Sequence, residues 1–150
     1  RFGKIHAAWL LHHPASGSLH FSETGSTEVE DVLEISVKGT IALARELTSI
    51  LESSGGFLGM VFPNRKTGNA GPLEMMADSA FKGFASSLIK NLNPSIWTCG
   101  FASTSPDADG FTSAMMNQWD ERHSKLRGRW YRYREGRRPF GGPGIVTAID

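Results

Sequence analysis

Four histidines fall in the first twenty residues, at His6, His12, His13 and His20. Imidazole titrates near neutral pH, so a histidine set in a cleft can move protons or hold an anion. A zinc site would need three or four such ligands converging. His6 lies inside an apolar run, and adjacent His12 and His13 point apart if extended, so no metal site is expected. His12 and His13 follow the run KIHAAWLL and are the candidate acid/base residues, with a structural or solvated role as the alternative. Asn64 and Arg65 follow the run FLGMVF, and Ser103 follows SIWTCGFA. Arg65 offers a planar fork for a carboxylate or phosphate, and these three are the candidate ligand-binding residues. Asp107 and Asp109 lack the other ligands of a calcium loop and read as turn residues.

A second constellation lies near the end of the chain, in RWYRYR (129–134). Arginines alternating with aromatics can bind phosphates by charge and bases by stacking, or anchor a protein interface. Trp130, Tyr131, Arg132, Tyr133 and Arg134 are therefore candidate interface residues, with nucleic acid the less favoured partner and a solvated face the bland alternative. Charge is unevenly spread: residues 122–150 hold eight Lys/Arg against two acids, and residues 1–121 hold eight against thirteen. Two regions follow, an α/β domain over 1–121 and a basic aromatic segment over 122–150 with a short last strand.

The elements that must position these groups alternate. Short continuous apolar runs at 4–11, 57–62 and 95–102 read as buried strands, and 145–149 as a last one. Helical spacing of Val29, Val32, Leu33, Val37, Ile41, Ala44, Leu47, Ile50 and Leu51 predicts a helix over 28–53, with Thr27 and Glu30 at capping-box spacing. A second helix is predicted over 74–91 and a third around 111–126. The β-α-β-α-β-α-β order implies a three-layer α/β fold with a parallel sheet and right-handed crossovers. In such sheets ligands sit beyond the carboxyl ends of the strands, where His12, His13, Asn64, Arg65 and Ser103 would gather.

At 150 residues the length suits one domain, and 39% hydrophobic with 21% charged residues is an ordinary globular balance. The chain opens on Arg1 and runs directly into FGKIHAAWLL, which reads as an internal start. No apolar run approaches the roughly 20 residues of a membrane span. Cys99 is the single cysteine, which excludes an internal disulfide and suggests the cytoplasm or another reducing compartment.

The order FGKIHAAWLL, SETGSTEVEDVLEISVKGTIALARELTSIL, GGFLGMVF and ADSAFKGFASSL resembles the fourth to sixth strands of the short-chain dehydrogenase/reductase family, across residues 2–105. The resemblance implies a shortened Rossmann-like domain that associates through the helices at 28–53 and 74–91, as a homo- or hetero-oligomer. It does not carry over the chemistry. The Gly-rich cofactor turn is absent from the sequence. The Asn of the family falls at Ser36, its Ser at Phe62 or Pro63, and its YxxxK pair at Met75 and Ser79, or at Met76 and Ala80. None of these replacements supplies a phenolic proton donor with a lysine beside it.

The expectation is a non-redox pseudoenzyme or structural subunit with no cofactor. The alternative is a biosynthetic cyclase, isomerase or lyase that handles a small organic molecule in the strand-end cleft, with His12 or His13 as acid/base. A third reading is an NAD(P)-dependent reductase whose N-terminal part is missing from this sequence.

Overall fold

The computed structural model describes residues 4–13, 20–62, 70–103, 105–121, 127–134 and 145–147. Five strands form one sheet in the order β1 (Ala7–Leu11), β2 (Phe57–Phe62), β3 (Trp97–Ser103), β4 (Trp130–Tyr133) and β5 (Ile145–Thr147). The first four run parallel and β5 returns antiparallel. The fold class is the expected Rossmann-like α/β sandwich, but its fourth parallel strand is WYRY, not the 145–149 run. Alternation decides this: Tyr131 and Tyr133 face one side of the sheet and are buried, while Trp130 and Arg132 face the other. The same sheet thus takes in residues on both sides of position 121.

Two glycines fix how the strands pack. Trp9 of β1 is in register with Gly59 of β2, and Trp130 of β4 with Gly100 of β3. Each indole lies across the glycine, so a Cβ on either would come within 2.3 Å of a ring carbon. The rings fall on opposite faces. Trp130 packs with the Leu10, Leu58, Met60, Phe81 and Ile89 core, and Trp9 with the Phe57, Phe101, Phe111 and Tyr131 core.

The long helix starts at Ser26, with Gly25 at its N-cap and no side-chain cap, so the expected Thr27–Glu30 capping box does not form. It runs as α1 (Ser26–Asp31), a π-helical segment (Val32–Gly39) and α2 (Thr40–Glu52). It ends where Gly55 takes φ 61° and the Gly56 N–H bonds Leu51 O at 3.1 Å, a left-handed stop that only glycine adopts without strain. Helix α3 (Pro72–Asn91) starts on Pro72, with the Glu74 carboxylate accepting the Gly71 N–H at 3.1 Å. Helix α4 (Ala108–Glu121) begins three residues before the expected start. Helices α2 and α3 cover one sheet face and α4 the other.

Candidate functional site

His12 stands just past the end of β1 and donates its backbone N–H to Val61 O at 2.9 Å. Its side chain is 2% exposed, and Nε2 lies 2.9 Å from Oδ1 of Asp78 on α3. The imidazole stacks on Phe81 at 4.4 Å and on Phe62 at 5.6 Å, nearly parallel to both. The two phenyl rings also lie near each other, with centroids 6.2 Å apart, so the imidazole is one member of an aromatic cluster. The pair ties the end of the first strand to the middle of the third helix. His13 is exposed on the other side of the strand, as the alternation of extended residues requires.

The positions to which the resemblance assigns the YxxxK pair lie off the buried stripe of α3. Leu73, Ala77, Phe81, Ala85 and Ile89 form the buried stripe. That stripe turns Met75, Met76 and Ser79 outward, and the Ser79 hydroxyl bonds back to Met75 O at 2.8 Å. The i, i+4 pair facing the strand ends is instead Asp78 and Lys82. Asp78 takes the buried place against His12, and Lys82 Nζ sits 4.1 Å above the centre of the Phe62 ring, a cation–π contact. The signal for Asp78 was in the sequence. It is a carboxylate inside an apolar helical arc, which demands a partner when buried.

Ser103 is buried, and its hydroxyl is engaged within the loop after β3. It donates to Ser105 O and accepts the Ser105 N–H, both at 3.1 Å. Ser105 Oγ accepts the Asp107 N–H, and Asp107 caps α4 through Gly110 N–H at 2.9 Å. The Tyr133 phenol donates to the other Asp107 oxygen at 2.5 Å. These bonds, Tyr133 first and Gly110 second, hold the Asp107 carboxyl below its ordinary range. Asp107, expected in a turn, is thus the joint between α4 and β4. Asn64 and Arg65 lie outside the described residues.

The interface candidates fall mostly within the molecule. Tyr131 is 2% and Tyr133 7% exposed, inside this chain's own core and not at its surface. Burial, then the nearby Cys99, pushes the Tyr131 phenol well above its usual value, with Arg129 opposing. Trp130 is partly buried and donates its indole N–H to Ser86 Oγ at 2.9 Å. Arg132 is half-buried, and Arg134 is exposed. The core placement follows from WYRY being an inner strand between β3 and β5. Among the described residues no three metal-ligating side chains converge, and no described helix is long and apolar enough to cross a membrane.

No protein-family model and no curated protein matches the sequence. Solved structures do match the fold. An acetoin dehydrogenase from Salmonella typhimurium superposes with a TM-score of 0.68 at 14% identity, over 86% of this chain and 63% of that one. A short-chain dehydrogenase/reductase from Brucella ovis gives 0.65 at 21% identity, over 87% of this chain and 69% of that one. Another from Brucella ovis, in complex with a partially ordered NAD, gives 0.58 at 22% identity over 78% and 57%. The chain has the fold of the short-chain dehydrogenases/reductases. It spans under two thirds of the acetoin dehydrogenase's length. Within that fold, the α3 positions that face the strand ends hold a carboxylate and an ammonium, and the end of β2 holds a phenyl ring.

Proposed function

We propose that this chain is a non-redox subunit, a pseudoenzyme that uses the reductase fold to assemble. The observation that carries the reading is the state of the strand-end site. The resemblance sets the family's Tyr at Met75 or Met76, neither of which can donate a proton, and the α3 side chain that does reach the strand ends, Asp78, is bonded to buried His12. The resemblance sets the family's Ser at Phe62 or Pro63, and Lys82 rests on the Phe62 ring. A carboxylate, a phenyl ring and a sealed imidazole cannot together protonate a carbonyl during hydride transfer.

The outer faces of α2 and α3 support assembly. Between them lies an open groove of about 320 Å³ with apolar lining from Ile41, Ala44, Phe84, Leu88 and Leu92. Ile41 is 45% exposed on its rim. Apolar surface gathered in one place marks an interaction site, and this one joins the two helices expected to associate. Native mass measurement of the protein and of Ile41→Glu tests the reading. An oligomer that the substitution dissociates supports it, and a monomeric wild type overturns it.

The His12–Asp78 pair also favours a second reading, an acid/base enzyme acting on a small organic molecule without a nicotinamide cofactor. That reading needs Phe62 or Phe81 to swing away from the imidazole. It predicts that His12→Ala abolishes a turnover that His13→Ala or Lys82→Ala only weakens.

A further inference from the structure

Lys82, Arg132 and Arg134 gather at the corner between α3 and β4. Phe62, Ala102 and Arg132 form one row across β2, β3 and β4. The row lies on the α3 face of the sheet, because Phe62 and Trp130 pack in the core there and strand residues alternate. Helix α3 keeps step with the sheet at this end. The Trp130 indole reaches Ser86 Oγ, and Lys82, one turn before Ser86, has its Nζ over the Phe62 ring. Four helical residues rise about 6 Å, and the two strand residues from Trp130 to Arg132 about 6.6 Å. Lys82 therefore overlies the row that holds Arg132. Arg134 follows on the same side of β4 and is exposed.

Among the described residues none of these three cations pairs with a carboxylate, and Asp78, one turn from Lys82, is taken by His12. The Arg132 Nε is buried and has no hydrogen-bond acceptor among the described residues. Buried donors in native proteins are nearly always paired, so this one marks a place for an acceptor. Between Phe62 and Arg132, about 10 Å apart across two interstrand steps, the row holds only the partly exposed Ala102 methyl. An oxyanion seated over Ala102 is within reach of both long side chains, the Arg132 fork on one side and the Lys82 ammonium on the other. We propose that this corner binds the phosphate or carboxylate group of a small anionic molecule. Arg132 is the fork donor, Lys82 the second charge and Arg134 the rim. The site lies two strands from the His12–Asp78 pair's strand, and it holds whether or not the chain assembles.

An NMR titration that follows the arginine Nε–H resonances tests the site, with inorganic phosphate and, separately, with malonate, each at ionic strength fixed by chloride. Saturable movement of the Arg132 Nε–H is expected in the millimolar range with at least one of them, and the tighter of the two names the group. Arg132→Gln should weaken binding at least about tenfold, read from backbone resonances around Ala102. Arg132→Lys keeps the charge without the fork and should recover only part of the affinity. Lys82 is exposed, so Lys82→Met leaves the fold intact and should weaken binding about threefold. Arg129, exposed before the start of β4, is the control, and Arg129→Gln should change nothing. Absence of saturable shifts with both anions overturns the proposal. So does affinity that survives Lys82→Met and Arg132→Gln unchanged, or that Arg129→Gln weakens as much as Arg132→Gln, which would leave only diffuse attraction to a basic surface.

Discussion

Removing the Asp78 carboxylate should expose what the His12–Asp78 pair does. In Asp78→Ala, the imidazole, 2% exposed in the native fold, loses the carboxylate partner of its Nε2. A hydrogen bond to a charged group contributes about 1.5–3 kcal/mol, and an orphaned buried donor costs about 1–3 kcal/mol. The two effects overlap, so the net loss should be roughly 2–4 kcal/mol. For a chain of this size, about 2–4 °C of Tm accompanies each kcal/mol, which places the melting transition roughly 4–16 °C lower. Replacing both partners by apolar groups should behave differently, because a buried polar pair is often matched by well-packed hydrophobic residues. His12→Phe/Asp78→Leu keeps a ring packed against Phe62 and Phe81 and is expected to regain at least half the loss. Thermal and urea unfolding of the singles and the double give the comparison. An Asp78→Ala variant that melts within about 1 °C of wild type, or a double variant no more stable than the worse single, would refute the structural role of the pair.

Gly59→Ala and Gly100→Ala each drive a methyl to within 2.3 Å of a tryptophan ring and should cost about 1–3 kcal/mol in urea unfolding; pairing Gly100→Ala with Trp130→Ala should relieve the strain. The Asp107 carboxyl is held below its ordinary range by Tyr133 and Gly110. Its contribution is therefore full above its unfolded value, about 3.9, and is lost as pH falls through the lowered folded value. Asp107→Asn should flatten that acid limb of the stability curve, and Tyr133→Phe should flatten it in part. Burial pushes the Cys99 thiol well up, so native protein should resist thiol reagents that label it at once in denaturant.

The sequence made the sheet and its helices legible because the signals were local. Continuous apolar runs mark β1, β2 and β3, and the α3 start is written in Gly71, Pro72 and Glu74. What escaped depended on contacts between distant residues. Asp78 could be seen as a carboxylate in an apolar arc, but its partner lies 66 positions away. The rotation of α3 is set by Leu73 and Ala77 against Val32 of the long helix and by Phe81 against the sheet core, and that rotation puts Asp78 and Lys82 at the strand ends. WYRY carries so much charge around it that it reads as surface. Its two tyrosines become core only because Phe101 and Phe111 lie opposite them. Ser103 was correctly placed at a strand end, while its hydroxyl is drawn into the Ser105–Asp107 turn by hydrogen bonds that residue type alone does not specify.

Native mass spectrometry of the purified protein, with NADH and NADPH each present in excess, reads assembly and cofactor binding together. A non-redox subunit predicts an oligomer whose mass is unchanged by either nucleotide. A monomer, or an oligomer that gains one nucleotide mass per chain, would contradict it.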